Sequence, residues 1–385
     1  MKKKTKILIS VLVILLLAGA ATGLGLKTYH DRLVQEELDR QAKMLEDTRK
    51  DMVALTSSIP VVDVILIPDP ILNPLTGIEG YNEDAVGKRP VAVVVENSPD
   101  ARPQWGIDDP EKAPDIILEG EVEGGITRTL WFYADYTALP DQIGPIRSAR
   151  PPFIRFSELF DAIFIHWGMS ATGGGYVGAD SVFWEDGVDH INEMSYGNGA
   201  LFSRDYSRPV SSEHTGVLFG AGVEGALKDY GFRTEVDEDA FRTFTFNEEP
   251  KKAGKTTCNT LDMGISSISF THSWTYDKKD ECYHCSDYAT DVSRKNLLVL
   301  FDSTGYIPKA NYHGTGSTVV YCDYGLYGGT GVYASLGGMA DITWAIEEGK
   351  LVIRDEEGKE IVGLNPGKTW IGWASSNYGG WAQAS

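Results

Sequence analysis

The chain has 385 residues and a formal net charge of -20, with 55 acidic against 35 basic side chains. That balance excludes a nucleic-acid binder, which needs a basic stripe to displace counterions from phosphates, and it excludes broad adhesion to anionic lipid. A hydrophobic content of 42% and an aromatic content of 11% fill ordinary cores, so the body is folded, and the length suits two domains.

At the N-terminus, Lys2, Lys3, Lys4 and Lys6 precede an uncharged run over residues 7–26. The run has the length of a membrane-spanning helix, and the lysines keep its N-terminal end in the cytoplasm. A cleaved signal peptide is the rival, since Ala18-Gly19-Ala20 resembles a small-residue cleavage site. The apolar run continues past that site, which favours an uncleaved anchor. No cysteine follows it, so there is no lipid attachment site. Residues 27–55 are charged and lack Gly and Pro; they predict a helix leaving the membrane. Leu38, Leu45 and Met52 recur every seven residues, but Gln35, Ala42 and Arg49 make poor heptad companions, so a short stalk is expected rather than a strong coiled coil. Residues 56–72, with Pro60, Pro68 and Pro70, read as a linker.

Strand signals follow at 91–97 (VAVVVEN), 115–118, 127–133 and 161–167 (DAIFIHW), each a short apolar run between turn residues. Residues 152–160 predict a helix with proline in its first turn, 168–178 a glycine-rich loop, and 213–230 a second helix. From about residue 240 strand-like pieces dominate: FRTFTF, SISFTHSWTYD, NLLVLFD, STVVYCDY, ADITWAI, KLVIRD and TWIGWA. They predict mostly antiparallel β structure. The expected fold is α+β: an anchor over 1–26, a helical stalk and linker over 27–72, an α/β module over 73–238 and a β-rich module over 239–385.

The stretch EGEVEGGITRTLWFYADYTALPDQIGPIRSAR, residues 119–150, carries the main polar candidates. Strand alternation puts Glu119, Glu121 and Glu123 on one face, where like charges repel unless water, cations or arginines face them. Arg128, Arg147 and Arg150 are the nearest arginines. Two readings stand: surface ion pairs, or an anion-accepting pocket with His166 and His214 near it. His166 ends a predicted strand just before glycine, where α/β sheets place ligands. No Gly-x-Ser-x-Gly elbow, His-Glu-x-x-His pattern or phosphate loop is present. Glu121 or Glu123 would serve a glycoside hydrolase, as carboxylates in any acidic protein would.

Cys258, Cys282, Cys285 and Cys322 all lie in the second half. An even count outside the membrane predicts disulfides, first Cys282–Cys285 with Cys258–Cys322. Zinc held by Cys282-Tyr283-His284-Cys285 with the other two is the rival. No cofactor or metal is expected. Trp131, Trp344 and Trp370 are assigned to the core, and Trp373 and Trp381 to freer positions.

In chain order, Asn73-Pro74-Leu75-Thr76-Gly77, Arg89-Pro90-Val91-Ala92-Val93, Ala101-Arg102-Pro103-Gln104, Glu123-Gly124-Gly125-Ile126-Thr127-Arg128 and Ile143-Gly144-Pro145-Ile146-Arg147-Ser148-Ala149-Arg150 resemble the YerB-like family. Ile342-Thr343-Trp344, Asp355-Glu356-Glu357-Gly358-Lys359 and Leu364-Asn365-Pro366-Gly367-Lys368-Thr369-Trp370-Ile371 extend the resemblance to about residue 374. That is a bacterial lipoprotein family of a two-part domain of unknown function. The resemblance implies an envelope protein with an N-terminal and a C-terminal module. The chain departs from the pattern by lacking the lipid-carrying cysteine, and by having Glu213-His214-Thr215 where the family implies Pro-His-Asn. The expected function is a single-pass protein of the cell membrane. Its body lies outside the cytoplasm and binds a cell-wall glycan or an envelope protein. An envelope hydrolase and a structural scaffold are the alternatives.

Overall fold

The computed structural model describes residues 25–56, 70–196, 199–237 and 244–385. They fall into two units, within 1–69 and 70–385. In the first, α1 (Gly25–Thr56) runs unbroken for 32 residues. No Gly or Pro interrupts it after Gly25, and the Glu37–Arg40 and Glu46–Lys50 pairs stand at helical spacing. Leu38 and Leu45 are exposed, as suits a stalk rather than a packed heptad seam. The predicted anchor over 7–26 lies outside the described residues except for its last two, and so does most of the linker. Among the described residues no helix is long and apolar enough to cross a membrane.

The second unit is built on a sheet shared by both halves of the sequence. The first half supplies β1 (Val91–Glu96), β2 (Ile116–Glu121), β3 (Thr127–Tyr133), β4 (Ile163–His166), β5 (His190–Asn192), β6 (Phe202–Arg204) and β7 (Gly216–Leu218). Between them lie α2 (Pro151–Glu158), α3 (Ala179–Asp186) and α4 (Glu193–Tyr196), and α5 (Val223–Tyr230) follows. The second half adds β8 (Thr256–Thr257), β9 (Thr260–Gly264), β10 (Thr271–Asp277), β11 (Cys282–Cys285), β12 (Val292–Arg294) and β13 (Asn296–Asp302). After these come β14 (Thr304–Lys309), β15 (Val319–Tyr324), β16 (Gly329–Ser335), β17 (Gly338–Glu347), β18 (Lys350–Asp355), β19 (Thr369–Ser375) and β20 (Trp381–Ala384). The central sheet runs β18-β17-β16-β13-β19-β2-β3-β1-β4-β5, with β8 beside β17.

The pivot is β19. It lies parallel to β13 on one side and parallel to β2 on the other, with Gly372 opposite both Val299 and Glu119. All seven of its residues are buried. A strand buried on both faces and both edges has no polar side to alternate with, which is why TWIGWAS reads as a nearly continuous apolar run. The modules expected at 73–238 and 239–385 are thus continuous through one sheet and one compact unit.

Alternation in β1 builds two cores. Val91, Val93 and Val95 point to one, Ala92 and Val94 to the other. On the first face lies the five-stranded sheet β12-β11-β10-β9-β20, whose Leu261, Trp274 and Tyr283 pack with Ile117, Trp131 and Trp370. On the second face, Phe153 and Phe156 of α2 pack against Trp373.

Two expectations are corrected here. Residues 213–230 form a single helix only from Val223 onward; before it come a short 3-10 turn, β7 and a second 3-10 turn. The glycines explain the break: a Cβ on Gly216 would meet the Trp167 ring at 2.8 Å, and one on Gly220 would meet the Pro140 carbonyl at 2.3 Å. They permit close backbone approach rather than helix. Trp373, assigned to a freer position, is fully buried and stacks on Tyr324 at 4.1 Å, while Trp381 is 40% exposed as expected.

Candidate functional site

The three glutamates of β2 and its exit do not form one acidic face. Each meets its own partners. Glu119 is fully buried and accepts from Thr127 Oγ1 at 2.8 Å, Tyr288 Oη at 2.9 Å and His272 Nε2 at 3.0 Å. Burial opposes its charge, but His272 outweighs burial and holds the carboxyl below its ordinary value. Glu121 accepts from Tyr306 Oη at 2.9 Å, and its other oxygen is buried without a partner among the described residues. Glu123 lies beyond the strand, where Gly124 and Gly125 at positive φ turn the chain back into β3.

Glu123 is the centre of the arginine cluster. Arg128 Nη2 donates to it at 2.7 Å and Arg150 Nε at 2.8 Å, with Arg150 Nη2 closing a second bond at 2.5 Å. Two further donors are also used: Arg128 Nη1 binds the Ser148 carbonyl and Arg150 Nη1 the Ala149 carbonyl, both at 2.8 Å. Tyr321 lies 5.3 Å from the Arg150 guanidinium and Tyr176 stacks on Tyr321, roofing the pair. Burial works against the Glu123 charge, yet Arg128 and Arg150 outweigh it and hold the carboxyl at about 2. Burial, helped by the neighbouring Arg150, brings Arg128 down to about 10. A carboxylate so firmly ionised is no general acid, and arginines so fully used have no fork left for a ligand.

Arg147 belongs to a second group beside the first, since Glu96 stands opposite Arg128 in the β1–β3 register. It donates to Glu96 at 2.8 Å, and His214 Nδ1 meets the other Glu96 oxygen at 2.9 Å. His166 stands apart again. Its Nδ1 donates to the Gly168 carbonyl at 2.7 Å, so its Nε2 accepts from His190 Nδ1 at 2.9 Å, and Phe183 stacks on the ring at 5.0 Å. Burial drives its pKa down to about 3, and the ring is neutral. The single pocket expected around Glu121, Glu123, Arg128, Arg147, Arg150, His166 and His214 is therefore three satisfied polar groups plus Glu121, not one cleft.

The cysteine expectation is also corrected: Cys258, Cys282, Cys285 and Cys322 are free thiols. Residues three apart on a strand point to opposite faces, so Cys282 and Cys285 on β11 turn away from each other. Cys258 and Cys322 lie in the two different cores. The predicted four-cysteine zinc set fails for the same reason.

Sequence reasoning missed a pocket formed where the ends of the body meet. A cavity of about 320 Å³ is lined by Asn73, Tyr81, Asn82 and Lys112, together with Asp115, Tyr133 and Lys368. Asp115 accepts from Asn73 Nδ2 at 3.1 Å and from the Ala134 amide at 2.8 Å; burial raises its pKa. Burial, followed by repulsion from Arg294, brings Lys368 down to about 8. Tyr133 Oη is buried and has no partner among the described residues. The available signal was the Asn73–Gly77 and Asn365–Lys368 turn motifs, but nothing in the sequence says that turns nearly three hundred residues apart meet.

Comparison with known proteins matches the body to two family models in order. Residues 75–232 match the model of the N-terminal domain, and residues 261–371 that of the C-terminal domain, of a protein of unknown function (DUF3048). "Putative lipoprotein YerB" of Bacillus subtilis (strain 168) is 30% identical over 304 residues, which is 77% of this chain and 84% of the relative. The crystal structure of YerB protein from Bacillus subtilis is similar with a TM-score of 0.62 at 28% identity, covering 78% of this chain and 95% of that one. With the paired domains matched in order and the relative covered over most of its length, the chain belongs to the YerB-like family.

Proposed function

We propose that this protein is a non-catalytic binding module of the cell envelope, tethered by its N-terminal segment with the body outside the cytoplasm, and that it takes a cell-wall glycan into the pocket between Asn73 and Lys368. The pocket is the observation that carries the reading. It combines two tyrosine rings with two amides, several carboxyls and amines around a cavity large enough for a sugar ring, and it carries a buried hydroxyl in need of a partner. Sugars offer apolar ring faces and many hydroxyls, which suit such a lining. The lysines before residues 7–26 and the lipoprotein name of the relative support the tethered topology.

Sedimentation of the full chain with purified wall material tests the binding. Lys112→Ala removes an amine at the rim, and should weaken co-sedimentation by about tenfold without lowering stability. Failure of the wild-type chain to sediment with wall material would discard the glycan; equal binding by the variant would discard the pocket. Protease added to intact protoplasts should remove the body, and a protected full-length chain would discard the topology.

A further inference from the structure

A second constellation lies under the five-stranded sheet, away from the pocket. His272 sits on the inward face of β10, beside Trp274 in the alternation THSWTYD. The antiparallel register, with Thr275 opposite His284, carries Cys285 at the end of β11 to the same face. Asp287 follows two residues later. Three different donor atoms then converge. His272 Nδ1 is 3.4 Å from Asp287 Oδ2 and 3.9 Å from Cys285 Sγ, and Cys285 Sγ is 3.4 Å from Asp287 Oδ2. Zinc bound tetrahedrally at ordinary Zn–N, Zn–O and Zn–S lengths of about 2.0 to 2.3 Å sets its donors roughly 3.3–3.8 Å apart. The two separations to Asp287 Oδ2 fall within that spacing and the Nδ1–Sγ separation lies just beyond it, so contacts that are hydrogen bonds in the metal-free protein already hold the three donors close to the arrangement an ion needs.

The surroundings add an independent observation. The other ring nitrogen of His272, Nε2, meets both oxygens of Glu119 at 3.0 Å. A buried carboxylate behind an imidazole fixes which nitrogen carries the proton, turns the other toward the donors, and raises its basicity. This carboxylate–histidine pairing recurs behind metal-ligating histidines. Tyr288 Oη donates to the same carboxylate and its ring lies parallel to His272, so the imidazole is held in place from two sides. Charge also balances. A thiolate and the Asp287 carboxylate match a divalent ion, and Arg102, whose guanidinium lies 5.2 Å from the Tyr288 ring, offsets Glu119.

We infer that His272, Cys285 and Asp287 form a zinc-binding site, with Glu119 as the residue that orients the histidine. Binding releases the thiol proton and the proton on Nδ1 to solvent, and forms one bond each from Nδ1, Sγ and an Asp287 oxygen to the ion. The nitrogen, sulfur and oxygen donor set suits zinc over calcium or magnesium, which take oxygen. Three protein donors leave one tetrahedral position for water or an external ligand. Asp287 is exposed and gives the site its route to solvent, while His272 and Cys285 lie in the interior.

The full chain, purified without chelator and then stripped, is titrated with Zn²⁺ by calorimetry and with Co²⁺ by absorption spectroscopy. One ion per chain is expected, with a thiolate-to-cobalt charge-transfer band. Cys285→Ser should abolish that band, and Asp287→Asn should weaken Zn²⁺ binding. Glu119→Gln should weaken it by about ten- to a hundredfold, the usual effect of losing such an orienting carboxylate. Cys282→Ser should change nothing, because that thiol faces the other side of β11. If the buried variants fail to fold, Asp287→Asn, at an exposed position, still decides the matter. No saturable zinc binding by the wild-type chain, or binding unchanged in Asp287→Asn and Cys285→Ser, would overturn the site.

Discussion

Arg150 shows how a residue that looks like a ligand anchor can be structural. Its bidentate fork is spent on Glu123, and both groups are largely buried. Arg150→Ala would leave Glu123 with Arg128 as its remaining ion-pair partner, and should lower stability by on the order of 3 kcal/mol in urea unfolding. Arg150→Lys keeps the charge and loses the fork, and should fall between. The pair also sets a pH dependence. Arg128 and Arg150 depress Glu123 from 4.5 to about 2, so its stabilising contribution is complete above the unfolded value of 4.5 and is lost as pH falls through about 2. Glu123→Gln should therefore be less stable than the wild type at neutral pH, with the gap closing between about pH 4.5 and pH 2. A gap that stays constant across that window would show that Glu123 acts through packing rather than charge.

At the scale of elements, the close approaches around β7 matter more than helix propensity. Gly220 has an ordinary backbone conformation, and its constraint is purely spatial: an added Cβ would meet the Pro140 carbonyl, which is backbone and has little freedom to move. Gly220→Ala should cost about 1–3 kcal/mol through overpacking, although the same change in an exposed helix would stabilise. Thermal melts of the variant would check it. The element β19 has the opposite character. Its seven residues carry no special turn chemistry, yet it joins β13 to β2, pairing in parallel with β13 along its whole length and with β2 from Thr369 to Trp373.

For the whole molecule, the consequence of that pairing is cooperativity. A protein whose halves were joined only by a linker would unfold in two steps. Here the sheet passes through both halves, and each core draws residues from both. The body over 70–385 is expected to unfold in one calorimetric transition, with equal calorimetric and van't Hoff enthalpies. A fragment ending at residue 238 lacks β13 and β19, exposes the buried edge of β2, and should be unfolded or aggregated when expressed alone. Two resolved transitions, or a soluble folded fragment, would contradict this account.

The local grammar of the chain determined much by itself. Apolar runs of β-branched residues placed β1, β3, β4, β13 and β19, and a proline in the first turn placed α2, because these signals depend on neighbours in sequence. The charged segment without Gly or Pro placed α1. The ordered motifs sufficed to identify the family. The site was far less legible. Arg128 and Arg150 stand out in the sequence, but whether they face a ligand or Glu123 depends on how the chain turns at Gly124-Gly125 and returns past Ser148. His272 lies 153 residues from Glu119, and only the packing of the five-stranded sheet on the central one makes them partners. The same is true of Asn73 and Lys368, which line one cavity from opposite ends of the body. Contacts of that kind follow from burying two apolar sheet faces together, a global free-energy condition that leaves no mark on the residues nearby in the chain.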